Sequence, residues 1–125
     1  MKKRRKVVNA QSLLPLPGAM LHLLLGLAQG ERHGYALKRE IAERTKGQVI
    51  LGPGALYGSI QKMLLWGLIE ESEDRPESHL DDQRRRYYRI TPAGQQALQA
   101  ELQRMQGILT AAKNELSRLA LQEAR

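Results

Sequence analysis

The sequence predicts a mainly α-helical fold with a small β-hairpin: three short helices, the hairpin, then one long closing helix. Three observations carry this expectation. Aromatic residues make up only 4% of the chain and Phe is absent, so the core is built from Leu, Ile, Ala and Met, which suits helices packed on helices. Helical runs dominate the apolar pattern, whereas "LIEESE" and "RRRYYRIT" alternate as strands do. The 125 residues support one compact core and fall short of the two-lobed architecture common in cofactor-dependent enzymes.

The first helix is "PGAMLHLLLGLAQG", about residues 18–29, apolar nearly all round and closed by Gly30. Such a helix expects burial on several sides. A second starts near His33 and Gly34. Its Leu37 and Ile41 lie one turn apart on an inner face, Lys38, Arg39, Glu40 and Arg44 point outward, and Thr45, Lys46 and Gly47 end it.

The third helix opens at Pro53, which needs no N–H at the first helical position, with Gly52 as its cap. Leu56, Ile60, Met63 and Leu64 form its apolar stripe. Gly54, Gly58, Gln61 and Lys62 face the other way, with Ala55 and Ser59 beside them. A face so nearly bare of side chains lets the helix backbone press close against something.

Gly67 stops that helix and the hairpin follows, its charged loop falling at residues 74–83. Alternation puts Arg86, Tyr88 and Ile90 on one face of the second strand and Arg85, Tyr87 and Arg89 on the other. Thr91 and Pro92 then cap and begin the last helix. Along it Leu98, Leu102, Met105, Leu109, Ala112, Leu116 and Leu119 alternate by four and three, a heptad seam that stays aligned with a neighbouring helix over its whole length. Gly107 falls off the seam. The organisation expected is a flexible basic arm over 1–12, a core domain over 13–91 and the long helix over 92–125.

The net charge is +7, which favours a polyanionic partner. Lys2, Lys3, Arg4, Arg5 and Lys6 carry much of it, leaving +2 for the rest of the chain. The arm either lies along a polyanion or is a solvated tail. The basic, apolar start imitates a secretory signal, but Pro15, Pro17 and His22 interrupt it and no small-residue cleavage site follows. The apolar run is also far below the ~18 residues of a membrane span. A cytoplasmic protein is expected.

Catalytic and cofactor patterns fail. Cysteine is absent, which excludes disulfides, thiolate zinc sites and a cysteine nucleophile. His22, His33 and His79 have no metal-ligand spacing, and His79 beside Asp81 and Asp82 reads as a solvated loop rather than a cation site. Gly47 to Gly52 has the interval of a phosphate loop, but Pro53 stands where its lysine would be. No enzyme, metal or cofactor is expected.

The order helix, helix, helix, strand, basic strand, helix is that of a winged helix-turn-helix. There the third helix enters the major groove by its N-terminal half and the hairpin flanks the backbone. Gly54, Ala55 and Gly58 permit close approach, Ser59 and Gln61 offer hydrogen bonds to base edges, and Lys62 and Tyr57 reach for phosphates. Arg84, Arg85, Arg86 and Arg89 add charge at the hairpin. The competing class is a protein- or RNA-interaction module on the same scaffold, without specific DNA binding.

"GERHGYALKREIAERTKG", "GPGALYGSIQKMLLWGLIE" and "RRRYYRITPAGQQAL" together resemble the PadR family of bacterial transcriptional regulators. The length is similar to that of its short subfamily with one C-terminal helix. The resemblance implies a homodimer joined by the final helices and binding double-stranded DNA at a near-palindromic operator, usually as a repressor. In many members a small-molecule effector releases it. Carried over by position, Tyr35, Pro53, Gly54, Ala55, Tyr57, Gly58 and Arg86 are the DNA contacts.

Two features depart from the family. Gly52 stands where a capping Ser is frequent, and the hairpin loop carries Asp74, Glu77, Asp81 and Asp82, so the base of the hairpin rather than its tip is expected at DNA. Trp66 reads as helix-end packing, with stacking on a ligand in a dimer cavity as the alternative. No aromatic follows Thr91, which speaks against a sensor of flat hydrophobic drugs.

Overall fold

The computed structural model describes residues 9–72 and 86–124. A 3-10 turn at Ala10–Leu13 precedes α1 (Gly18–Leu27), β1 (Arg32–His33), α2 (Gly34–Arg44), α3 (Pro53–Leu65), β2 (Ile69–Ser72), β3 (Tyr87–Ile90) and α4 (Pro92–Glu123). The strands form one antiparallel sheet in the order β1-β3-β2. The mainly helical fold with a β-hairpin and a long last helix is therefore present, with one strand more than expected.

That strand, β1, is two residues long and pairs Arg32 with Tyr88 and His33 with Tyr87. Two residues cannot display alternation, and His33 serves two elements at once. It ends β1 and also caps α2, its Nδ1 accepting the N–H of Ala36 at 3.1 Å. Its ring meets Tyr87 edge-on.

The hydrophobic pattern reads directly onto the core. Met20, Leu23, Leu24 and Leu27 of α1, Leu37 and Ile41 of α2, and Leu56, Ile60 and Met63 of α3 are all buried. Helix α1 is covered on several sides, touching α2, α3, α4 and β3. Its helical stretch ends at Leu27, two residues short of the expected limit, where the amides of Gln29 and Gly30 bond back to Gly26 and Leu27.

Thr91 joins the end of α3 to the start of α4. Its hydroxyl donates to the carbonyl of Gly67 at 2.6 Å and accepts the amide of Gly94 at 3.1 Å. Gly94 is there because space is lacking: a Cβ at this position would lie 2.0 Å from the carbonyl oxygen of Leu68. Thus "ITPAG" is a cap and a close packing contact in one.

The N-terminal segment is tied down as well. The 3-10 turn lies in the stretch assigned to the arm, and its neighbour Leu16 is buried. The amide of Leu16 donates to the carboxylate of Glu101 on α4 at 2.9 Å. The lysines and arginines of the arm itself, residues 2–6, lie outside the described residues.

Beyond Glu101, α4 leaves the core. Of the seam, Leu98 belongs to the chain's own core, whereas Leu102, Met105, Leu109, Ala112, Leu116 and Leu119 are exposed. Among the described residues, no helix is long and apolar enough to cross a membrane.

Candidate nucleic-acid interface

Helix α3 is oriented by its two buried flanks. Leu56, Ile60 and Met63 face the core, and Tyr57, half-buried, lies against α2. A Cβ on Gly34 would come within 3.1 Å of the Tyr57 ring, so the glycine of "HGY" makes room for the tyrosine of "PGALYG". These two stretches meet in space and fix α3 against α2. Tyr35, next to that contact, is 50% exposed.

The opposite side of α3 is open. A Cβ added at Gly54 or Gly58 would meet nothing within 4 Å. Glycine in the middle of a helix costs about 0.5–1 kcal/mol relative to alanine, and no packing among the described residues requires it at position 58. Pro53, Ala55, Gln61 and Lys62 are exposed around these glycines, and Ser59 is half-buried.

Pro17 and Met20 approach from the start of α1. With Gly54, Ala55, Gly58, Ser59 and Lys62 they line a shallow concavity of about 250 Å³. Gly52 caps α3 without a side-chain hydrogen bond, so the first amides of the helix receive no acceptor from their cap residue's side chain.

The sheet presents a different electrostatic picture. Arg89 contacts Glu70, its cross-strand partner, at 2.9 Å and Glu31 at 3.6 Å, and Arg86 lies 3.5 Å from Glu71. Burial raises the Tyr88 phenol above its ordinary pKa, and the Glu71 carboxylate adds to the effect. Arg84 and Arg85, with the acids of the hairpin loop and His79, lie outside the described residues.

Trp66 caps the C-terminus of α3 and packs against the core. His22 is half-buried on α1 and its Nδ1 is buried without a hydrogen-bond partner. Among the described residues, no group of acids and histidines is placed to hold a metal ion.

Glu101 is the functional-looking group that sequence reading missed. It is 1% exposed and accepts from Leu16 and from Arg104. The hydrogen bond from Arg104 holds its carboxyl below the usual carboxylate range, although burial acts the other way. Its only signal is an acid three residues after Leu98, beside the seam.

The family model for "Transcriptional regulator PadR-like family" matches residues 21–100, from α1 into α4. The chain belongs to the PadR-like family of transcriptional regulators. The chain is thus a DNA-binding regulator with the winged-helix fold of that family.

Solved structures share the PadR fold at low identity. A PadR family transcription regulator from Clostridium difficile superposes with a TM-score of 0.62 at 23% identity, over 80% of this chain and 99% of that one. A transcriptional regulator from Clostridium thermocellum gives 0.64 at 21%, over 78% and 90%. RosR of H. salinarum gives 0.59 at 23%, over 85% and 98%.

A curated relative is the "Uncharacterized 37.1 kDa protein in transposon TN4556" of Streptomyces fradiae, 34% identical over 87 residues. The match takes in 70% of this chain and spans 23% of that protein.

Proposed function

We propose that this PadR-family chain is a repressor that binds a near-palindromic operator as a homodimer. The N-terminal half of α3 would sit in the major groove and α4 would join the two subunits. The observation that carries the reading is the bare face of α3. Gly54 and Gly58 have open space beyond their Cα atoms, and Ser59, Gln61 and Lys62 stand around them to meet base edges and phosphates.

Dimerisation is supported by the part of α4 beyond the core. Its exposed Leu102, Met105, Leu109, Leu116 and Leu119 keep the 3.5-residue period that a partner helix needs. Each such leucine gains about 1.5–3 kcal/mol when fully buried. Two-fold symmetry would then set the recognition helices about 34–36 Å apart, matching successive major grooves. The family resemblance extends the reading to release by a small-molecule effector.

The test is fluorescence anisotropy on the duplex upstream of the protein's own gene and on a scrambled duplex. Specific recognition is expected as a preference of about 10³ or more for the native duplex. Equal binding to both, weakening together with salt, would leave only electrostatic attachment and overturn the reading.

A further inference from the structure

Which cations would hold the phosphates follows from the distribution of ion pairs. We infer that Lys38 and Arg39 of α2, with Lys62 of α3, carry the phosphate contacts, and that Arg86 and Arg89 of β3 instead brace the sheet. This rests on the DNA-binding reading above.

On the described part of the sheet every arginine of β3 and its approach has a carboxylate beside it. Arg89 is shared between Glu70 and Glu31, and Arg86 faces Glu71. Exposed pairs of this kind are weak, so their strength would not keep an arginine from a phosphate. The acids decide the matter. Swinging Arg89 onto a phosphate would leave Glu70 and Glu31 facing a polyanion, and the repulsion would cancel most of the attraction.

Helices α2 and α3 are arranged the other way. From Pro53 to Leu65 α3 contains no acid, and Lys62 is exposed beside the two open glycines. On α2 the charges divide between two flanks. Glu40 contacts both Arg32 and Arg44 at 3.4 Å, and Arg44 donates to the carbonyl of His22, so the arginines of this flank are already engaged within the fold.

Lys38 follows Gly34 by one turn. It therefore lies on the flank where Gly34 receives Tyr57 of α3. Arg39 follows the half-exposed Tyr35 by one turn. Among the described residues Lys38, Arg39 and Lys62 form no ion pair. Glu43, the remaining acid on α2, stands one turn beyond Arg39 on the same flank, but among the described residues it forms no ion pair with it. Positive charge outside any ion pair thus borders α3 from the α2 side, next to Tyr35.

The salt dependence of binding separates the two sets. Anisotropy titrations on the upstream and scrambled duplexes would compare wild type with Lys38→Gln/Arg39→Gln and with Arg86→Gln/Arg89→Gln. Each lost phosphate contact removes about 0.9 from the slope of log K against log salt. The α2 pair is expected to flatten the slope by about 1.8 per bound subunit, weakening both duplexes by the same factor. The β3 pair is expected to leave the slope unchanged, with any loss appearing in thermal melts.

Glutamine is a good helix former, so the α2 variant should melt as wild type does. A slope flattened by the β3 pair, whether or not the α2 pair also flattens it, would overturn the inference, as would an α2 variant with the wild-type slope. Wild type that binds neither duplex would overturn the DNA-binding reading itself.

Discussion

The carboxylate of Glu101 accepts the backbone N–H of Leu16 at 2.9 Å across a separation of 85 residues. One oxygen holds the N-terminal segment and the other holds Arg104, so a single buried acid fastens the entry of the chain to the helix that leaves the core. Glu101→Leu would strand the Leu16 amide and is expected to destabilise the fold by about 1–3 kcal/mol. Urea unfolding measures this.

The same group gives the fold a pH dependence of known sign. Its native pKa is lowered, chiefly by the bond from Arg104, so its stabilisation is complete above the ordinary carboxylate value of about 4.3 and is lost as pH falls through the native value. Glu101→Gln is expected to be less stable at neutral pH and to lose this acid sensitivity. A variant with the wild-type profile of stability against pH would refute the assignment.

Gly94→Ala is expected to be among the most damaging single-methyl additions. The new Cβ would lie 2.0 Å from the Leu68 carbonyl oxygen, and a backbone atom cannot step aside as a side chain would. A loss of at least about 2 kcal/mol is expected, within the range for overpacked cores. Gly58→Ala meets open space and should instead stabilise the helix by about 0.5–1 kcal/mol. Thermal melts of the pair give opposite signs if the two glycines have these two different reasons to be glycine.

Leu109→Glu with Leu116→Glu is expected to convert a dimer to a monomer without unfolding the chain. Both leucines are exposed, at 47% and 66%, and lie beyond the last buried residue of α4. Sedimentation at micromolar concentration checks it. A wild-type monomer, or a double variant that stays dimeric, would remove the seam from the account.

Local chemistry was legible where a residue type has one reason to be where it is. Pro53 and Pro92 open helices, Thr91 caps one, and the spacing of Leu56, Ile60 and Met63 marks the inner face of α3. The features that escaped depend on partners distant in sequence. Arg32 and His33 become a strand only because Tyr87 and Tyr88 lie beside them.

Charge was the harder property to read. The sequence alone does not show that the register puts Glu70 opposite Arg89 or that the fold brings Glu71 to Arg86. Nothing in the sequence around Glu101 announces that Leu16 arrives from the other end of the chain to donate to it. The open face of α3 was readable in advance, because it is defined by side chains that are missing.

The most direct measurement is the affinity of Gly58→Leu for the upstream duplex, taken together with its thermal melt. A Cβ at this position would meet nothing within 4 Å in the free protein and leucine is a good helix former, so the melt is expected to be unchanged or raised. Binding to the upstream duplex is expected to fall to the level seen with scrambled DNA, because the helix could no longer press its backbone into the groove. A folded Gly58→Leu protein that keeps its preference for the upstream duplex would contradict the assignment of this face to DNA.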